Sequence, residues 1–177
     1  MKISATLSRF CPRSLRNFTD MSVMIAEGVS FRRMHPEDRD GVQDFFDAMG
    51  EESAAFFNVG HGNEKRVMAF FEDGKPDHRF WVAEAEGTVV GLAFIWDLFS
   101  RVPWFGVAVR DGWQGKYIGT GIVNAVCEEC RKEGRGGILL RTAENNLRGR
   151  ALYEKCGFER IGLHPSGELL YLKRFVF

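Results

Sequence analysis

Between Trp104 and Thr120 the chain carries a pattern typical of a strand, a glycine-bearing loop and the start of a helix. An apolar, β-branched run predicts the strand, and Gly115 and Gly119 precede a helical pattern that begins near Thr120. The first N–H groups of a helix have no partner inside it, and the helix dipole adds about half a positive charge there. Glycines let a bulky anion approach such a backbone closely. The stretch therefore predicts an anion site, although it also fits an ordinary strand-to-helix turn.

Two common phosphate-binding patterns do not match this stretch. The pattern G-x-x-x-x-G-K-[ST] fails because Lys116 follows the first glycine and no lysine follows Gly119 or Gly121. The dinucleotide fingerprint fails because the run Gly119-Thr120-Gly121 lacks the third glycine that it needs. The pattern Q-x-x-G-x-[GA] does match residues 114–119, except that Tyr117 stands at its first glycine.

This match resembles the pyrophosphate loop of the GNAT superfamily of N-acyltransferases, whose members bind acyl-coenzyme A (acyl-CoA). The family usually has glycine where this chain has Tyr117. If φ is positive at that position, a residue with a Cβ costs about 1–2 kcal/mol. We therefore expect the loop to differ locally from the family pattern.

A second segment strengthens the resemblance. Residues 144–158 follow the GNAT pattern N-x-x-A-x-x-L-Y-x-x-x-G-F, with the usual alanine replaced by Gly149. The matching positions are Asn146, Leu152, Tyr153, Gly157 and Phe158. By composition alone the segment predicts a helix that Asn146 caps and Gly157 ends. The resemblance as a whole covers residues 29–177.

The resemblance implies an α+β fold, with a mixed, mostly antiparallel sheet of six to seven strands and about four flanking helices. This sheet is splayed between its fourth and fifth strands. The sequence predicts successive strands at Val29–Met34, His78–Glu84, Val89–Phe99, Phe105–Val109, Gly137–Thr142, Glu159–Leu163 and Leu169–Phe175. Gly106, inside the fourth of these, predicts a bulge or a close approach by another backbone.

The length of 177 residues predicts one folded domain. We assign residues 28–177 to the acetyltransferase domain and residues 1–27 to a non-catalytic extension. Four basic residues precede the first acid, Asp20, and the segment has no apolar core of a secretory signal. An organellar targeting segment, a disordered tail and an upstream start before Met21 or Met24 all stay open for residues 1–22.

Composition limits the partners. Lys+Arg and Asp+Glu are both 24, so the net charge of +0 offers no general field for nucleic acid or an anionic membrane. The best apolar run, Val89–Trp96, is far shorter than the ~18 residues of a spanning helix. We expect a soluble, cytoplasmic protein with no nucleic-acid or membrane partner, for which the resemblance makes a homodimer plausible.

The cysteines predict packing rather than chemistry. Cys127 and Cys130 lie one helical turn apart and supply only half of the ligands of a zinc site. We therefore expect them on the buried face of a helix, and we expect no metal site. Such cysteine usage suits a reducing compartment.

The resemblance also implies a reaction, in which acetyl-CoA is the acyl donor and a small-molecule or peptide amine is the acceptor. It places the pantetheine arm on the main chain of Val107 and Val109, and it makes Tyr153 the acid that protonates the leaving thiolate. Tyr153 also belongs to the implied cofactor site. The other residues implied around the cofactor are Gln114, Gly115, Lys116, Tyr117, Gly119, Thr120, Asn146 and Arg150.

The general base and the acceptor are not identified by the sequence. Three candidates stay open for the base: Asp97, Glu144 and a chain of water molecules. Asp97 also fits a strand end. The loop Val59–Asn63, with His61, predicts either a mobile substrate loop or an ordinary one, and His164 lies in a turn. Two other functions stay open, a non-catalytic acyl-CoA sensor and a partner-binding module.

Overall fold

The computed structural model describes residues 22–58, 60, 62–74 and 76–176. The strands in this part of the chain are β1 (Val23–Ala26), β2 (Val29–Arg33), β3 (His78–Ala85), β4 (Thr88–Trp96), β5 (Trp104–Val109), β6 (Gly137–Thr142), β7 (Glu159–Leu163) and β8 (Leu169–Arg174). Its α-helices are α1 (Arg39–Asp47), α2 (Glu51–Phe57), α3 (Asn63–Met68), α4 (Ile118–Lys132) and α5 (Leu147–Lys155). The predictions for residues 1–21, Val59 and His61 lie outside the described residues.

The strands form one mixed sheet in the order β1-β2-β3-β4-β5-β6-β8-β7. Every neighbouring pair is antiparallel except β5 and β6, which are parallel. The predicted hairpin between β3 and β4 is confirmed, with Glu86 at φ 52° and Gly87 at φ 74° in its turn. The predicted fold class is confirmed, with eight strands and five α-helices where six to seven strands and about four helices were expected.

The strand that the sequence analysis missed is β1, which lies inside the segment 1–27 predicted to be an extension. It pairs with β2, so the sheet begins before residue 28. Helix α4 packs directly on this strand, and Gly121 makes the close approach possible. A Cβ at Gly121 would lie 2.4 Å from the main-chain oxygen of Ile25.

Two apolar cores cover the two faces of the sheet. Helices α1, α2 and α3 pack on one face through buried residues that include Phe45, Phe57 and Val67. Helices α4 and α5 cover the other face, where Cys127 and Cys130 are buried as the helical spacing predicts. Burial raises the pKa of Cys127 to about 11 and that of Cys130 to about 12, so both thiols stay protonated and inert near neutral pH.

Gly106 does not mark a bulge, contrary to one of the two expectations. β4 and β5 pair without a register shift from Gly91↔Val109 to Trp96↔Trp104. The space beside Gly106 holds the ring of Phe94, whose Cζ would lie 2.5 Å from an added Cβ. The close neighbour is therefore an aromatic side chain rather than another backbone. In the described part of the chain, no helix combines the length and the hydropathy needed to cross a bilayer.

Candidate active site

Strands β5 and β6 meet at their beginnings and then separate. Their register contains one pair, Trp104↔Leu139, whereas β5 pairs with β4 over its whole length. Leu139 N also donates to Pro103 O at 3.0 Å. Beyond this point the sheet is open between β5 and β6, which is the splay that the resemblance implies.

The main chain of β5 presents hydrogen-bonding groups to this opening. Arg110 N donates to Val90 O at 2.9 Å, and bonded pairs alternate along an antiparallel ladder. Val107 and Val109 therefore direct their N–H and C=O groups away from β4 and toward the opening. The carbonyl of Val109 already accepts a hydrogen bond from Gln114 Nε2 at 3.0 Å. Val107 is thus the better placed of the two predicted residues to bind an amide of an extended ligand.

A cavity of about 810 Å³ occupies the opening. Nine of the residues implied by the resemblance line it: Val107, Val109, Gln114, Gly115, Tyr117, Gly119, Thr120, Asn146 and Tyr153. Lys116 and Arg150 are not part of its lining. The ammonium of Lys116 lies 4.5 Å from the centre of the Trp113 ring, and Arg150 Nη1 donates to Glu144 O at 2.9 Å.

The N-terminus of α4 borders this cavity with unpaired main-chain donors. The first α4 amide bonded to a main-chain oxygen is that of Gly121, which donates to Tyr117 O at 2.9 Å. Among the described residues, the N–H groups of Gly115 to Thr120 donate to no main-chain acceptor. Tyr117 caps the helix at φ 61°, so its backbone is left-handed despite the side chain. Its ring is largely exposed, with the ammonium of Lys155 4.5 Å from its centre.

A carboxylate fixes the loop that precedes α4. Asp111 accepts from Gly50 N and from Ser53 Oγ, both at 2.6 Å, and from Gln114 Nε2 at 3.0 Å. The bond from Ser53, and after it the bond from Gly50, lower the pKa of the Asp111 carboxyl. Gln114 therefore uses its side-chain amide to join the loop to β5 and to α2.

Tyr153 lies on α5 and is 8% exposed. Its ring packs against Phe158 and Tyr171, at centroid distances of 6.0 and 6.1 Å. Burial, with a smaller contribution from Cys156, raises the pKa of Tyr153 to about 12. The phenol therefore carries its proton at any ordinary pH, as a donor to a leaving group must.

Asn146 caps α5, as the sequence predicts. Its Oδ1 accepts from Gly149 N at 3.0 Å, and its Nδ2 donates to Thr142 Oγ1 at 3.0 Å. A Cβ at Gly149 would lie 2.5 Å from Asn146 Nδ2, so an alanine there would require the Asn146 amide to shift. Gly157 ends the helical segment at φ 82°, also as predicted.

The sequence model of a protein family, described as the acetyltransferase (GNAT) family, matches residues 43–158, which is more than half of the chain. The chain belongs to the GNAT family of acetyltransferases.

Solved structures share the GNAT fold at low sequence identity. The GNAT domain of S. lividans PAT aligns with a TM-score of 0.75 and 13% identity, over 92% of this chain and 100% of that one. The PaiA N-acetyltransferase from Thermoplasma acidophilum, in complex with coenzyme A, aligns with a TM-score of 0.69 and 14% identity, over 83% of this chain and 99% of that one. The aminoglycoside acetyltransferase AAC(6')-Ib, also in complex with coenzyme A, aligns with a TM-score of 0.67 and 19% identity, over 82% of this chain and 94% of that one. No curated protein matches the chain significantly.

Neither candidate base lines the cavity. Asp97 is exposed, one residue beyond the end of β4, at φ 57°. Glu144 is exposed as well, and its carbonyl accepts the bond from Arg150. Within the described chain, Glu168 is the single carboxylate in the cavity lining.

The sequence analysis missed a group of residues at the beginning of β5. The guanidinium carbon of Arg66 lies 4.3 Å from the centre of the Trp96 ring, and Trp96 stacks on Trp104 at 5.7 Å. His164 stands edge-on to Trp104 at 5.9 Å, and its Nδ1 lies 3.2 Å from Arg141 Nη1. We call this region the Trp96 end of the cavity; its lining residues are Arg66, Trp96, Arg141, Ser166 and Glu168.

Two signals pointed to this part of the cavity: the loop Val59–Asn63, of which Gly62 and Asn63 line it, and the turn that contains His164. His164, which the sequence placed in a turn, does not line the cavity, but the turn brings Ser166 and Glu168 to it. Glu168 Oε2 accepts from Ser166 Oγ at 2.8 Å and lies 3.2 Å from Arg141 Nε. Arg66 gave no signal, because an arginine on a short helix is usually solvated.

Proposed function

We propose that this protein transfers an acetyl group from acetyl-CoA to a primary amine, by direct attack of the amine on the thioester. The observation that carries the proposal is the run of unpaired amides at the start of α4, beside a cavity that also contains Tyr153. Main-chain donors at a helix N-terminus bind phosphate groups, and coenzyme A carries a diphosphate. Family membership and the two coenzyme A complexes among the similar structures support the same donor.

The open side of β5 suits the rest of the donor. The pantetheine arm is extended and contains two amides, so it can pair with the main chain of Val107 as an added strand would. Such pairing directs the thioester along the splayed strands, away from the α4 amides. The proposed site therefore uses main-chain groups for most of its hold on the donor.

In the proposed reaction, the neutral amine nitrogen attacks the thioester carbonyl and the carbon–sulfur bond breaks. The departing sulfur takes a proton from the Tyr153 hydroxyl, and the phenol regains a proton after the amine has lost one. A positioned acid of this kind contributes typically ~10²–10⁴ in rate. Holding the two reactants in contact supplies a further large part of the acceleration.

Neither Asp97 nor Glu144 lines the cavity, which favours one other function, an acyl-CoA sensor that binds the cofactor without turnover. A thiol-release assay with acetyl-CoA and a panel of primary amines, run beside calorimetric titration with coenzyme A, separates the two. We expect binding together with amine-dependent thiol release. Binding without thiol release from any amine would indicate the sensor, and absence of both would indicate a partner-binding module.

A further inference from the structure

Arg66 contributes a half-buried guanidinium to the Trp96 end of the cavity. Among the described residues it makes no ion pair, and its Nη1 is shielded from solvent without a hydrogen-bond partner. Burial, and then the charge of Arg141, lower the pKa of the Arg66 guanidinium, and the more weakly felt charge of Asp77 offsets this only in part. A buried polar group that lacks a partner is costly and rare in native proteins, unless a ligand completes it.

The contact with Trp96 does not satisfy this group. The guanidinium carbon lies 4.3 Å from the centre of the Trp96 ring, so the aromatic surface provides a cation–π contact. The five N–H donors of a guanidinium lie in its own plane and form a fork that matches a carboxylate. The aromatic contact therefore holds Arg66 in place without using its N–H donors.

The other charged groups of the lining already have partners. Arg141 is paired with Glu168 at 3.2 Å, and Arg148 Nη2 lies 2.8 Å from Glu52 Oε2. Lys155 sits over the ring of Tyr117, next to the start of α4. Among the described lining cations, Arg66 and Lys155 thus have only an aromatic partner, and of these two only Arg66 has a nitrogen that is shielded from solvent without a hydrogen bond.

Arg66 lies too far from the α4 amides to serve the same diphosphate. Its partner Trp96 stacks on Trp104, at the first residue of β5, whereas the glycine loop follows Val109 at the last. Five residues of extended strand span roughly 17 Å. An anion at Arg66 is therefore a separate group, on the acceptor side of the thioester.

We propose that the acceptor is an amine that carries a carboxylate, an amino acid in the simplest case, and that Arg66 binds this carboxylate. Phe56 and Trp96 line the same cavity and offer apolar contact to a hydrophobic side chain. Glu168, the carboxylate of the lining, offers a partner to the amine before it reacts. This inference rests on the proposed acetyl transfer.

The test compares each of the twenty amino acids with the amine that lacks its carboxyl group, for example leucine with 3-methylbutylamine. Acceptor binding to the coenzyme A complex is measured by calorimetry, and KM is measured by thiol release. We expect at least one amino acid to bind about 10- to 100-fold more tightly than its decarboxylated counterpart. Arg66→Gln should remove this preference, Arg66→Lys should restore part of it, and the KM for acetyl-CoA should stay unchanged.

Arg39→Gln is the matched control, because Arg39 lies 5.8 Å over the Phe71 ring on the surface, away from the cavity. It should leave the preference intact. No preference for any amino acid, or a preference that survives Arg66→Gln, would overturn the inference. Failure of every amine to release thiol would instead reject the proposed reaction, while the calorimetric comparison would still decide whether Arg66 binds a carboxylate.

Discussion

Trp104 and Leu139 form the single in-register pair between β5 and β6 in the described part of the chain. Each of these two strands pairs with its other neighbour over six residues. β5 pairs with β4 from Gly91↔Val109 to Trp96↔Trp104, and β6 pairs with β8 from Gly137↔Arg174 to Thr142↔Leu169. The sheet is therefore continuous up to this pair and divided beyond it. The cavity and the unpaired main chain of β5 both follow from this separation.

Tyr153→Phe tests the proposed acid. The change removes one hydroxyl from a ring that packs against Phe158 and Tyr171, so the packing should persist. We expect kcat to fall about 10²- to 10⁴-fold with little change in the affinity for coenzyme A. Steady-state kinetics and calorimetry on the same preparation measure both quantities. A variant with wild-type turnover would exclude the acid role.

The pH profile of the wild-type protein provides an independent check on Tyr153. Burial raises the pKa of this phenol to about 12, so its protonated form persists well above the ordinary tyrosine value of about 10. The rate should therefore show no loss that depends on Tyr153 up to about pH 10. A decline that is present in the wild type below this pH and absent in Tyr153→Phe would contradict the assignment.

Asp111→Asn should weaken both the fold and the binding of coenzyme A. One of its oxygens accepts from Gly50 N and the other from Ser53 Oγ and Gln114 Nε2, and an amide cannot replace both. We expect a loss of about 1–2 kcal/mol in the free energy of unfolding, measured in urea at pH 7. Asp44→Asn, which removes an exposed carboxylate paired with Arg110, is the control and should have little effect.

The Asp111 carboxylate also makes the free energy of unfolding depend on pH, and its lowered pKa sets the sign of this dependence. Its pKa is lowered in the folded protein, so its contribution is present above the unfolded value of about 3.9 and is lost as the pH falls toward the folded value. The stability difference between wild type and Asp111→Asn should therefore shrink in acid. A difference that stays constant down to pH 2 would show that the ionised form is not what stabilises the loop.

Position 117 should favour glycine over alanine. Both substitutions remove the Tyr117 ring, but only alanine keeps a Cβ at φ 61°. We expect Tyr117→Gly to be about 1 kcal/mol more stable than Tyr117→Ala in thermal or urea unfolding. At Asn124, an exposed position inside α4, the order should reverse, because alanine is the better helix former. The same order at both positions would contradict the left-handed assignment.

Gly121→Ala should destabilise the protein although alanine favours helix. The added Cβ would lie 2.4 Å from the Ile25 oxygen, so α4 or β1 must move. We expect a loss of about 1–3 kcal/mol, seen as a lower Tm. Gly41→Ala, in α1, meets only a methyl of Val89 at 3.1 Å and serves as the control. An unchanged Tm in Gly121→Ala would show that β1 is not docked as described.

Local patterns were sufficient for much of the fold, and the family resemblance pointed to nine residues that line the cavity. Strand alternation, the cap at Asn146 and the stop at Gly157 are set by residues close together in the chain, and the structure confirms them. The strand β1 could not be predicted, because four residues in a weakly patterned segment become a strand only by pairing with β2 and packing on Gly121.

The Trp96 end of the cavity could not be predicted for a different reason. Arg66, Arg141 and Glu168 are distant in sequence, and their proximity depends on the sheet order and on the aromatic stack at Trp96. Asp97 shows how a local pattern leaves alternatives open, because its apolar neighbours fitted either a buried carboxylate or a strand end, and the strand ends just before it. Patterns along the chain indicate elements, but contacts between distant elements decide which charges share a cavity.

Calorimetric titration with coenzyme A of the wild type and of Gly119→Val is the most direct measurement. Gly119 lines the cavity in the first turn of α4, where an added Cβ would lie 3.1 Å from Leu152 Cδ2, so a larger side chain blocks the unpaired amides. Asn124→Val, on the exposed face of the same helix, controls for the loss of helix propensity. We predict saturable binding to the wild type and to Asn124→Val, and no detectable binding to folded Gly119→Val. Equal affinity in all three proteins would contradict the assignment of the α4 N-terminus as the diphosphate site.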